Sequence, residues 1–121
     1  MTTLQIPRLS APQQAELERT FFELANRWRD ETALLSSVTK MAMHPAYQRI
    51  IGMGPAAVPL ILRELEQQPD HWFWALTAIT GEDPVRPADA GDIDRMSQAW
   101  LAFGRTRGYL FHARIRVLRQ Q

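Results

Sequence analysis

Apolar residues recur three and four apart along most of this chain, which predicts helices, and the pattern is densest between His44 and Pro84. Val58, Ile61, Leu62 and Leu65 form one apolar stripe, with Arg63, Glu64, Glu66 and Gln67 turned away from it. Gly54-Pro55 suits the opening of that helix, because proline at a first helical position gives up an N–H that has no partner there anyway. Pro59 falls inside the first turns and predicts a bend. The next segment, Trp72 to Ile79, is apolar on every side. A helix of that kind is normally buried among neighbours. Asp70 stands where its cap is expected, and Gly81 where it should stop.

The flanking pattern is also helical. Ser10-Ala11-Pro12-Gln13 has capping-box form, and Leu17, Phe21, Leu24 and Trp28 then share one face. That helix either continues past Asp30 to Leu34-Leu35 or breaks there. Ser36 to Lys40 fits a helix end, a turn or a short extended link equally well. His44-Pro45 interrupts any helix, and Tyr47 to Met53 reads as a short one. Gly81 to Gly91 is a loop rich in proline, glycine and acid. Asp92 then caps a helix with Ile93, Met96, Trp100 and Phe103 in register, which Gly104 should end. Beyond it, Ile115 and Val117 alternate with Arg114 and Arg116, which favours an extended strand or arm over a helix.

The run Ile51-Gly52-Met53-Gly54-Pro55-Ala56-Ala57-Val58-Pro59-Leu60-Ile61, followed by Trp74 to Gly81, resembles the two helices of a single HEAT-like repeat. It departs early in the second helix, where such repeats often carry arginine and this chain has His71, Trp72 and Phe73. The HPAYQ-to-WFWAL core also resembles a small, uncharacterised bacterial family of helical proteins, with which no activity is associated. One repeat cannot bury its own face, so the resemblance implies flanking helices acting as caps. The expected fold is therefore all-α: a compact helical bundle built on a HEAT-like hairpin. It divides into a lead at 1–9, one helical domain at 10–104 and an extended basic C-terminal arm at 105–121.

Composition adds limits more than function. The 121 residues suit one domain with a modest core, and the chain has no cysteine, which removes disulfides, thiol nucleophiles and cysteine metal sites. His44, His71 and His112 are too scattered to read as metal ligands, and no cofactor is expected. No run resembles a signal peptide or a membrane span, so the expectation is cytoplasmic, without a membrane partner. A net charge of +1 hides an asymmetry: residues 105–121 hold Arg105, Arg107, Arg114, Arg116 and Arg119 and no acid, while the rest is net acidic. Since thirteen of the fourteen basic residues are arginine, that bias can also reflect an Arg-rich genome.

Catalytic chemistry is hard to assemble from these residues. Glu82 and Asp83 are neighbours in a loop and should point apart. His44 could pair with Glu64 or Asp83, though a structural hydrogen bond near a helix start accounts for it as well. His71 should be a surface residue. No Walker loop, dinucleotide fingerprint, H-E-x-x-H or nucleophile elbow is present, and Gly52-x-Gly54 is better explained as a helix-opening turn. The expected function is thus a non-enzymatic protein-interaction module, an adaptor or accessory subunit of a larger bacterial complex, with Trp74, Tyr109 and Phe111 as contact residues. The alternative is nucleic-acid binding, with Arg107, Arg114, Arg116 and Arg119 on phosphates and Tyr109 or Phe111 stacked on bases. A third use of the arm is self-association by strand addition.

Overall fold

Helix α1, Ala11–Thr32, starts from the capping box its sequence announced. The Ser10 hydroxyl accepts from Gln13 N at 3.2 Å, and Gln13 Oε1 accepts from Ser10 N at 2.9 Å. These bonds occupy two of the donors that a helix start otherwise leaves open. Phe21, Leu24, Ala25 and Trp28 are buried along one face. The helix stops at Thr32, whose hydroxyl returns to Trp28 O at 2.6 Å, and Leu34 is left in solvent. The computed structural model describes residues 8–109. Every regular element among them is helical, and none of those helices is long and apolar enough to cross a membrane.

Ser37 proves to be a cap. Its hydroxyl accepts from Lys40 N at 3.2 Å and opens a short helix, α2, Val38–Ala42. Helix α3, Pro45–Gly52, follows at once and begins at the proline, two residues ahead of the expected start. His44 Nδ1 accepts from Ala46 N at 3.0 Å, so the ring proton sits on Nε2 and is donated to Glu31 at 2.7 Å. The expected partners Glu64 and Asp83 are not used. Glu64 instead pairs with Arg29 of α1.

The run Ile51 to Ile61 is broken over three elements: the end of α3, a 3-10 turn at Gly54–Ala57, and helix α4, Val58–Gln67. Gly54 has φ +75°, a backbone region that favours glycine and that here makes the turn. Pro59 lies at the very start of α4, where an N–H is unpaired in any case. The expected bend is therefore replaced by a change of helix type just before it.

Helix α5, Phe73–Thr80, holds a second correction. Asp70 does not cap it; its Oδ1 accepts from the neighbouring His71 N at 2.7 Å. Trp72 is the residue before the helix, and no side chain of its own segment reaches the free N–H groups. The Tyr47 hydroxyl from α3 does so, accepting from Ala75 N at 2.9 Å and donating to His71 O at 3.0 Å. Burial pushes the Tyr47 phenol far up, so it stays protonated and can fill both roles. Gly81, at φ +73°, closes α5 as expected.

Helix α6, Ile93–Thr106, is capped by Asp92, whose Oδ1 accepts from Arg95 N at 3.1 Å. It runs past Gly104, which is buried inside it, and ends two residues later. The stop is made by Gly108 at φ +83°. Tyr109 N donates to Gly104 O at 2.8 Å and Gly108 N to Arg105 O at 3.3 Å, the paired closure of a Schellman motif. Tyr109 then folds back on Phe103, ring centroids 6.2 Å apart.

Helix α3 packs on both α1 and α5, while α4 carries α6. The centre of the core is aromatic. The Trp72 ring lies 4.5 Å from Trp28, 5.8 Å from Tyr47 and 5.9 Å from Phe21, so α1 and α3 meet on the side chain that precedes α5. Trp28 Nε1 donates to Met41 O at 2.9 Å, which ties α2 to the same cluster.

Candidate functional site

Helix α5 was expected to be buried on all sides, and it is not. Trp72, Ala75 and Leu76 point inward, whereas Trp74, Thr77 and Ala78 face out. Trp74 is 42% exposed, the one tryptophan of the four that meets solvent. The outward face forms one wall of a groove of about 550 Å³. Helix α6 contributes Ile93, Met96 and Trp100 to the same lining. Val85 and Gly91 of the loop that follows α5, Val38 of α2 and His71 complete it. Asp83 is the one carboxylate in the lining.

Each wall is fixed by local chemistry. The Asp83 carboxylate accepts from Val85 N at 3.1 Å, which turns the loop so that Val85 faces the groove. Asp89 is buried in the same loop and is held by Arg86 at 3.1 Å and by Arg95 of α6 at 3.5 Å. The hydrogen bond from Arg86 and the charge of both arginines hold its carboxyl below the usual aspartate range, against the opposing pull of burial. This cluster pins the loop to the start of α6. The Trp100 indole is fully buried, and its Nε1–H has no hydrogen-bond partner among the described residues.

The buried face of α6 lies about one position on from the apolar stripe read from the sequence. Ser97, Trp100, Leu101 and Gly104 are buried, while Ile93, Met96 and Phe103 are only partly covered. The Ser97 hydroxyl returns to Ile93 O at 2.7 Å, so a polar residue can occupy the inner face without a lost bond. Ile93 and Met96 are thereby left to line the groove.

The expected contact residues are separated by the fold. Trp74 is in the groove. Tyr109 is 9% exposed and belongs to the core, so it is not available to stack on a base or to anchor a partner. Burial pushes its phenol upward as well. Arg107 lies over the Phe103 ring at 4.8 Å and pairs with Glu82 at 3.7 Å, so its charge is shared with an acid. The helical body thus runs through Tyr109, five residues beyond the expected boundary at Gly104. Phe111, Arg114, Arg116 and Arg119 lie outside the described residues, as does most of the expected strand or arm.

Sequence reasoning missed Phe73, Thr77, Ala78, Val85, Ile93 and Met96 as surface-lining residues. Periodicity offered no signal in α5, where both faces are apolar. Glu82 and Asp83 do not form an acid–base pair: Glu82 meets Arg107 and Asp83 serves its own loop. Among the described residues no three His, Asp or Glu side chains gather as a metal-binding group. No family model, curated protein or solved structure matches this chain.

Proposed function

We propose that the chain is a non-enzymatic protein-interaction module, an adaptor or accessory subunit of a larger bacterial complex in the cytoplasm. Its docking site is the groove between α5 and α6. The observation that carries this reading is the outward face of α5, where Phe73, Trp74, Thr77 and Ala78 border an apolar cavity. Leaving apolar area in water forgoes about 25 cal/mol for each Å² that an occupant would cover. Tryptophan is also the residue type most enriched where binding energy concentrates. The α4–α5 hairpin, HEAT-like in sequence pattern, would present the outer face of its second helix, and α1 and α6 would serve as its caps. An apolar helix or extended segment is the matching partner chemistry.

The test compares proteins retained by the full chain, by Trp74→Ala and by Leu34→Ala in the native host. Leu34 is 99% exposed and lies away from the groove lining, which makes it the control. A partner held by the full chain and by Leu34→Ala, and lost by Trp74→Ala, supports the reading. Identical retention by all three removes it.

A further inference from the structure

We propose that the groove takes a short stretch of a partner protein in which one arginine stands among apolar side chains. This rests on reading the groove as a docking site and names what the occupant carries. The lining sets the apolar part. Phe73, Trp74, Val85, Ile93 and Met96 all border the cavity, and Asp83 is its one carboxylate. At about 550 Å³ the cavity falls within the range of about 300–1,000 Å³ that accepts one ligand-sized body. A few consecutive side chains fill such a space, whereas whole domains meet over faces of about 800 Å² on each partner.

The charge comes from Asp83. Four acids stand between Gly81 and Ile93, and three of them already have cations. Glu82 pairs with Arg107, Asp89 with Arg86 and Arg95, and Asp92 with Arg95. Asp83 is exposed and pairs with no cation among the described residues, and it is the acid that lines the groove. Its Oδ1 accepts from Val85 N, which leaves lone pairs on the carboxylate for a guanidinium. An apolar groove with one unpaired negative charge disfavours an acidic occupant and favours a basic one. Arginine suits it better than lysine, because a guanidinium is weakly hydrated and stacks on aromatic rings, and Trp74 offers an exposed indole in the same lining. The molecule already uses that arrangement once: Arg107 lies over the Phe103 ring and pairs with Glu82, the neighbour of Asp83.

The test begins with a random-peptide phage library selected on the full chain, with Trp74→Ala and Asp83→Asn selected in parallel. Asp83→Asn keeps a side-chain oxygen for Val85 N and removes only the charge, so the turn of the loop is retained. Peptides held by the parent chain should carry arginine beside apolar residues clearly more often than the unselected library. That enrichment in arginine should vanish on Asp83→Asn while the apolar content stays. Selection of acidic or uncharged peptides by the parent overturns the proposal. Arginine enrichment that Asp83→Asn leaves intact overturns it as well.

One selected peptide, made with arginine and with its uncharged isostere citrulline, is then titrated against the parent chain and Asp83→Asn. Exposed ion pairs are worth little, so loss of either charge should weaken binding about two- to fivefold. The deciding result is the coupling: once Asp83 is neutral, citrulline should cost nothing more. Losses that simply add overturn the proposal. Peptides that need Trp74 but ignore Asp83 remove this proposal alone. If the parent selects no peptide, or Trp74→Ala binds the selected ones equally, the docking function itself falls. A parent chain that is dimeric in light scattering and monomeric as Trp74→Ala assigns the groove to a second copy and also overturns the proposal.

Discussion

The Tyr47 hydroxyl shows how much can rest on one oxygen. It takes the place of an N-terminal cap for α5 from a different helix, so it joins two elements and satisfies a buried N–H at once. Tyr47→Phe keeps the ring against Trp28 and Trp72 but leaves Ala75 N and His71 O without that partner. The expected loss is about 1–3 kcal/mol in denaturant melts, the usual cost of an orphaned buried polar group. Asp89 gives a pH-dependent counterpart. Its folded-state pKa lies below the unfolded one, so its contribution is complete above the unfolded value and is lost as pH falls through the lower folded value. Asp89→Asn should therefore lower the melting midpoint at neutral pH, and the gap to the parent chain should begin to narrow below about pH 4, where unfolded aspartate protonates, and vanish below the lower folded value. A gap that stays constant down to acid pH would mean that the arginines do not act through this charge.

Element ends show why some signals were legible in the sequence and others were not. The capping box at Ser10, the stop at Gly81 and the cap at Asp92 were all legible, because each is a local motif whose partners lie within four residues. Asp70 misled because a cap-type residue two positions too early simply bonds its neighbour. Gly104 misled for a related reason: two glycines stood near the end of α6, and only the one in a left-handed conformation closes it. Gly108→Ala would force a side chain into that conformation at a cost of about 1–2 kcal/mol. Its effect should appear as faster amide exchange confined to the last turn of α6 and Tyr109. Uniform acceleration through α1 as well would place the closure at the centre of global stability instead.

At the scale of the whole molecule, the all-helical class could be read directly from spacing, and the groove could not. A helix apolar on every side signals burial only if neighbours exist to cover both faces, and α5, packed chiefly on α3, leaves Trp74, Thr77 and Ala78 exposed. The surface role of Trp74 was visible only as enrichment of its residue type at interfaces. Leu76→Ala and Trp74→Ala should separate core from surface. Leu76 is fully buried, and its truncation should cost on the order of 2–5 kcal/mol through the cavity it leaves. Trp74→Ala should change the melt by less than about 1 kcal/mol while removing partner retention. Equal midpoint shifts would mean that Trp74 is a structural residue and that the groove is part of the fold.

The burial of Tyr109 has a consequence for where the chain can be cut. A truncation that ended at Gly108 would remove a core side chain together with the N–H that closes α6 on Gly104 O. Any loss of binding would then report on the helical body rather than on the residues that follow it. A cut after Tyr109 keeps both, so it is the one that separates the two contributions.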